Sequence, residues 1–439
     1  MTSTLVAILG LTLLGVPITL AVDRRARGAL LAGLSLLYGS GTIFLVLLAL
    51  SAAHVRWTPA IVAAAALAVF AIAAMVAMRQ PAIGGRPPAA RAHVIDLLTL
   101  GMLACYSLYA TLAPLWEWDF WAIWGLKAKV FLEVGGVDWR FLESRWNIFA
   151  HSDYPLLVPL NFDFVALVAG GWSDRGPGLL FVAWGAALLL VARALAARET
   201  TPLPAALLTF ALTALSLSLD LGLAEGALIA FGGAGVLLVR EALREDDAAT
   251  WRHAALMLGF AANCKNEGMA LIAAVTLALL AVSWSRERSR ARMPRLWPAF
   301  ALAAPWLVLR VAHALPTDIV GGSVISRLVE RLGDASEIFA FLAARLHRPW
   351  FWAAIFAALL VAPAAARRRE RFVLVVTAIQ IVLFASAYFV TPYDVRWHVI
   401  TSWARLTGQV AVPIAFSVFL MLAESLRGEE APAPSAFAK

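Results

Sequence analysis

The stretch EWDFWAIWGLKAKVF, Glu117 to Phe131, sets Glu117, Asp119, Lys127 and Lys129 among tryptophans in a chain otherwise dominated by runs of Ala, Leu and Val. Carboxylates beside cations suit a reaction on an anionic head group: Lys and Arg hold a phosphate by charge-assisted hydrogen bonds, and a carboxylate takes a proton. Other segments carry the same chemistry. They are His151, Asp153 and Tyr154 in HSDYPLLVPL, Asp220 and Glu225 around a Leu-rich turn, Lys265, Asn266 and Glu267 in NCKNEG, and Asp394, Arg396, His398 and Arg405 in TPYDVRWHVITSWARLTGQ. The chain has four lysines against 32 arginines, and the three that are not C-terminal, Lys127, Lys129 and Lys265, all fall in these segments.

The elements that must position these groups follow from composition. With 62% hydrophobic residues, 15% charged residues and a mean hydropathy of +0.80 over 439 residues, the chain has more apolar surface than one soluble core buries. Its apolar runs approach the roughly 20 residues that cross a bilayer, so the expected class is an all-α polytopic membrane protein. The run Leu5 to Val22 is followed, not preceded, by Arg24, Arg25 and Arg27, which is the order of a first span with its N-terminus outside and not of a secretory signal. The net charge of +8 is topological: most arginines lie in short loops between apolar runs, the positive-inside pattern, and no nucleic-acid partner is expected. Cys105 and Cys264 form no disulfide or zinc pattern.

If the loops around Arg24–Arg27, Arg79–Arg91, Arg193–Arg198, Arg240–Arg252, Arg286–Arg295 and Arg367–Arg371 are cytoplasmic, each stretch between two of them crosses an even number of times. That parity predicts about 13 transmembrane helices. Residues 1–94 hold the N-terminal spans, 95–285 a core with a large outer loop at 114–177, and 286–426 the C-terminal spans with outer loops at 315–349 and 390–409. Residues 427–439 form a Pro/Ala-rich tail expected to be disordered. The run 155–170 is the odd one out and carries Asn161 and Asp163; it is expected to lie on the outer leaflet as an interfacial helix, and EWDFWAIWGLKAKVF as a second, amphipathic one. Structural readings compete for single residues. The tryptophans are more often interfacial anchors than sugar platforms, Asp220 reads as well as a solvated tip, and His151 and His398 are more often hydrogen-bonded interface residues than metal ligands.

In their order, these pieces resemble the polyprenyl-phosphate-sugar-dependent glycosyltransferases of the GT-C superfamily, which include protein O-mannosyltransferases and bacterial envelope-glycan transferases. The shared features are an acid in a Trp-rich first outer loop, HSDYPLLVPL opening the next helix, Asp220 after an outward span, and KNEG at the next outer tip; they cover about residues 95–285. The resemblance implies a GT-C-like fold, a plasma-membrane enzyme of bacterial type with its active site outside, and inverting transfer from a polyprenyl-phosphate sugar to a glycan, lipid or protein acceptor. It implies Asp119 as catalytic base, with Glu117 the alternative, and Asp220 as second acid. Lys265 would meet the donor phosphate, followed by Arg405, Lys129 and Lys127. His151, Asp153, Tyr154, Asn266, Glu267 and His398 would line the substrate site. No cofactor is demanded; some relatives use a divalent metal, and Asp119, Asp153, Asp220 and His398 are groups that could hold one, although no ligand spacing asks for it. The runner-up is a flippase or carrier of lipid-linked saccharides, which needs the same outward cations and aromatics.

Overall fold

A backbone in hydrocarbon satisfies its own polar groups as a helix, and every regular element among the described residues of this chain is helical. The computed structural model describes residues 2–80, 91–217, 221–283, 292–317, 323–346 and 348–426. Asp220 and the tail at 427–439 therefore lie outside the described residues.

The N-terminal part comprises α1 (Thr2–Val22), α2 (Gly28–Ala52), α3 (Pro59–Arg79) and α4 (Asp96–Leu112). The loop that follows contains α5 (Gly125–Val134), α6 (Trp139–Glu143) and α7 (Leu157–Ala169). Helices α8 (Gly178–Ala196), α9 (Pro202–Ser216), α10 (Glu225–Glu245), α11 (Ala248–Ala262) and α12 (Glu267–Val282) complete the central part. Then come α13 (Trp297–Ala312), α14 (Val324–Gly333), α15 (Ala335–Ala344), α16 (Pro349–Val361), α17 (Ala364–Arg369), α18 (Arg371–Val390), α19 (Val395–Gly408) and α20 (Ala411–Ser425).

Six of these, α1, α2, α3, α8, α10 and α18, are long and apolar enough to cross a membrane. A seventh candidate is the pair α19 and α20, bent by 44° at the break between them. This is the architecture of a multi-pass α-helical membrane protein. The other expected spans are helical too, but shorter: α4, α9, α11, α12, α13 and α16 have 13–17 residues. Among them α12 packs its Leu271, Ile272, Val275 and Leu279 into the core.

The arginine loops meet at one end of the molecule. Arg25 pairs with Asp247 at 2.7 Å, joining the end of α1 to the start of α11. Arg193 pairs with Asp96 at 3.1 Å, joining the end of α8 to the start of α4. Arg240, 2% exposed, binds Glu370 through Nε at 2.6 Å and Glu199 at 2.5 Å, which ties α10 to the starts of α18 and α9. Glu370 in turn accepts from Ser417 of α20 at 2.7 Å. The 21 residues of α10 then carry the chain about 30 Å to the opposite end.

Helix α7 differs from the expected interfacial helix. Most of its residues, including Asn161 and Asp163, are buried, and it packs against α1, α2 and α5. The physical reason is long-range: Asn161 donates its amide to the Ser40 carbonyl of α2 at 3.1 Å and to Leu157 at 2.8 Å. That leaves a mostly apolar helix enclosed by protein, with Val168 and Ala169 of its last turn exposed.

Candidate functional site

Two of the expected segments reach the site through short irregular stretches. After Trp118 and Asp119 the chain forms a five-residue π-turn, Phe120–Trp124, closed by the Gly125 amide on the Phe120 carbonyl; such insertions in helices often accompany function. The turn and α5 have one buried side, which takes in a lysine. Phe120, Trp124, Lys127 and Phe131 are buried, whereas Trp118 is 76% and Trp121 47% exposed. The link before α10 turns at Gly222, whose φ of +106° suits glycine and whose position leaves no room for a side chain beside Phe120. At the α11–α12 turn Gly268 lies flush against the Ala261 carbonyl, so the two helices approach where any Cβ would collide.

These constraints bring Asp119, Glu225, Lys265, Glu267 and Arg405 together. Arg405 donates through Nη1 to Asp119 Oδ2 at 2.6 Å and has Nε 3.7 Å from Glu225 Oε1. Lys265 donates to the same Glu225 oxygen at 2.8 Å and pairs with Glu267 at 2.8 Å. Glu225 thus bridges the two cations. Three of these charges sit where a helix favours them: Glu225 opens α10, Glu267 opens α12, and Arg405 lies in the last turn of α19, so helix dipoles support all three.

Exposure grades across the cluster. The Lys265 and Glu225 side chains are 7% and 8% exposed, Glu267 and Asp119 are each 18%, and Arg405 is 27%. The open side is therefore the Asp119–Arg405 pair. Burial works against the charge on Lys265, but the carboxylates of Glu225 and Glu267 outweigh it and hold the ammonium above the usual lysine range. Three carboxylates stand against two cations, and Glu225 Oε2, Glu267 Oε2 and Arg405 Nε are buried without a hydrogen-bond partner.

The remaining expected residues surround or leave this cluster. Tyr154 lies beneath Lys265, 5.9 Å from Nζ to the ring centre, and stacks on His151 at 4.6 Å and on Trp124 at 5.7 Å. Lys127 is fully buried and donates to the His151 carbonyl at 2.6 Å, over the Trp124 ring. It braces the 151–154 turn. Lys129 is engaged by Asp174 at 3.0 Å between the rings of Trp121 and Trp172. Asp153 accepts from Arg310 of α13 at 2.9 Å and weakly from Asn266 at 3.4 Å. His398 contacts Thr391 at 2.9 Å and stands edge-on to Tyr388. Glu117 precedes the helical turn, and its backbone carbonyl accepts from Phe120 and Trp121.

Asp119, Asp153 and His398 thus have separate partners, and no group of three or more His, Cys, Asp or Glu side chains placed to hold a metal ion gathers among the described residues. Glu225 and Arg310 are the groups that residue-by-residue reading leaves without a role. For Glu225 the signal was present: an acid at the first position of a long apolar run costs too much to be incidental. No protein-family model matches the chain, nor does any curated protein or any solved structure.

Proposed function

We propose that this chain is an inverting glycosyltransferase of GT-C type, moving a sugar from a polyprenyl-phosphate donor to a glycan, lipid or protein acceptor at the outer face of a bacterial-type plasma membrane. The observation that carries the reading is the Asp119–Arg405–Glu225–Lys265 cluster, which joins residues far apart in sequence at the end of the helices opposite the arginine loops. A carboxylate in contact with a cation is what a displacement at a sugar phosphate needs. Taken with the helical character of every apolar run, that two-ended arrangement supports about 13 crossings, N-terminus out and C-terminus in.

In the proposed reaction the acceptor oxygen attacks the anomeric carbon, and its proton passes to Asp119. The bond from that carbon to the phosphate oxygen breaks, and the phosphate leaves with the electron pair. Preorganised cations that stabilise this developing charge give the protein its main lever on the rate. Arg405, the most exposed cation of the cluster, meets the phosphate first, and Lys265 supports it from behind Glu225. For Arg405 to take the phosphate it must loosen its grip on Asp119, so donor binding and release of the base are one event. Aromatic residues Tyr154 and Trp124 form the wall beside Lys265.

The test is incubation of purified protein, in lipid nanodiscs, with a panel of polyprenyl-phosphate sugars and hydroxyl acceptors. Release of polyprenyl phosphate with matching glycoside formation is expected. Movement of the intact sugar lipid across the bilayer with no release would replace the enzyme by a flippase.

A further inference from the structure

Helix α14, VISRLVERLG, is built the wrong way round for a helix on a soluble surface. A water-facing helix turns its apolar stripe to the core and its charges outward. Here no residue of α14 is buried, and Ile325, Val329 and Leu332 are 73%, 66% and 57% exposed. Val324 and Leu328 extend the same stripe at helical spacing, 36% and 37% exposed. The arginines face the protein. Arg327 donates to the Val390 carbonyl at 3.0 Å, and Arg331 to the carbonyls of Thr391 and Tyr393 at 3.3 and 3.1 Å. Ser326 and Glu330, both exposed, occupy the third sector.

Those carbonyls fix the depth of the helix. Val390 is the last residue of α18, a 20-residue apolar helix long enough to cross a membrane, so α14 is held where that span would leave the hydrocarbon. Other large apolar groups are exposed beside the same link. Phe339 of α15, 55% exposed, packs on Phe389, and Trp397 of α19, 54% exposed, packs on Tyr393. A second copy of the chain is a poorer occupant, because one ten-residue helix offers far less than the roughly 800 Å² per partner of a stable interface.

We propose that α14 is an interfacial helix whose Val324–Ile325–Leu328–Val329–Leu332 stripe inserts into the bilayer leaflet while Arg327 and Arg331 clamp the link 390–393. The partner is a lipid surface, at the boundary between acyl chains and head groups. The link it clamps runs directly into Asp394, which caps α19 by accepting from the Trp397 amide at 2.8 Å, and α19 ends with Arg405 in its last turn. The clamped link is thus continuous with the helix that carries the cluster's open cation. This inference does not depend on the glycosyltransferase reading.

The experiment uses the full chain in nanodiscs of phosphatidylethanolamine and phosphatidylglycerol, free of polyprenyl lipid, with Cys105→Ser as background; Cys264 is buried. Spin labels are placed at Val329→Cys and Glu330→Cys, with Ile325→Cys as a second apolar position should the first fail to fold. Collision with dissolved oxygen is compared with collision with a water-soluble nickel chelate. The oxygen-to-nickel ratio should be several-fold higher at 329 and 325 than at 330. Equal ratios at all three would place the stripe in water and overturn the proposal. So would protection of 329 and 325 from both reagents, which would mean a protein partner, or an oxygen signature appearing only after polyprenyl phosphate is added, which would assign the stripe to the donor's chain.

Discussion

Replacing Asp119 with Asn should move binding and catalysis in opposite directions. Asn keeps size and hydrogen bonding but can neither accept the acceptor's proton nor hold Arg405 by charge. The general-base contribution is typically about 10²–10⁴-fold, and sugar transfer should fall by that order. Donor binding should improve. In the native cluster three carboxylates face two cations, and Asp119 occupies Arg405 at 2.6 Å, so an arriving phosphate competes with an acid already in place. A charge-assisted contact of this kind is worth about 1.5–3 kcal/mol when buried. With both side chains partly open to solvent, screening reduces it to about 1–2 kcal/mol. Relieving that competition corresponds to roughly 5–30-fold tighter binding.

The assay pairs equilibrium binding of undecaprenyl phosphate to protein in nanodiscs with single-turnover transfer from the sugar-loaded lipid. Inorganic phosphate as a second titrant separates recognition of the lipid from recognition of the anion alone. Glu117→Gln, which leaves the Asp119–Arg405 pair in place, should change both readouts little. Weaker or unchanged lipid binding in Asp119→Asn would refute the ion-pair exchange and leave Asp119 as a structural partner of Arg405. If no variant, nor the wild type, binds the phosphate lipid, the donor assignment itself fails, which is a distinguishable outcome.

Three further outcomes are expected. Arg240→Ala should lower the thermal midpoint strongly, because it takes the paired guanidinium from the buried Glu370 and one of two cations from Glu199, and breaking a buried pair costs about 3–5 kcal/mol; an unchanged midpoint would show that the network is not structural. The Asp247 carboxyl is held down to about 2 because hydrogen bonds from Arg25 and Thr250 outweigh the burial that would raise it. A depressed carboxylate stabilises above its ordinary pKa and loses that contribution as pH falls from about 4 towards 2, so Asp247→Asn should cost about 1 kcal/mol at neutral pH and show a shallower loss of stability across that acid window. Finally, in cells, a cysteine at Arg145 should react with an impermeant thiol reagent added outside, and one at Asp246 should not; the reverse pattern would turn the cluster to the cytoplasm.

What was legible in the sequence is what the membrane itself dictates. Span length and arginine placement follow from hydrocarbon thickness and insertion energetics, which act on each run separately, so the apolar runs appear as helices and the basic loops gather at one end. Where position depends on distant partners, local reading fails. Asn161 and Asp163 made α7 look too polar to be enclosed, yet the Asn161 amide nitrogen donates to a carbonyl of α2 more than a hundred residues away. The outer stretch 315–349 read as a loop because α14 is short and carries two arginines and a glutamate, and only their contacts with 390–393 show which way its apolar stripe turns. The site was legible by residue type. Asp119, Lys265 and Arg405 stand out as charges at the edge of apolar runs, but that Lys265 is held between Glu225 and Glu267 shows only in the fold.

That pairing bears on what the cluster is for. Buried ion pairs seldom add stability over apolar packing, since desolvation consumes most of the Coulombic gain. A cluster selected for stability alone would balance its charges and close. This one carries an excess carboxylate, leaves Glu225 Oε2, Glu267 Oε2 and Arg405 Nε without hydrogen-bond partners, and is most open at the one pair, Asp119 with Arg405, whose separation would free both a base and a cation. On the proposed reading, Glu225 keeps such a separation low in energy. It touches both cations, so when Arg405 swings towards an incoming anion it keeps a second carboxylate at its Nε side, and Lys265 stays neutralised by Glu267. Glu225→Gln should therefore weaken phosphate-lipid binding where Asp119→Asn strengthens it, although each substitution removes one negative charge from the same cluster. Net electrostatics alone would move both variants the same way, so opposite signs in the two titrations would isolate the geometry of exchange from the charge of the site.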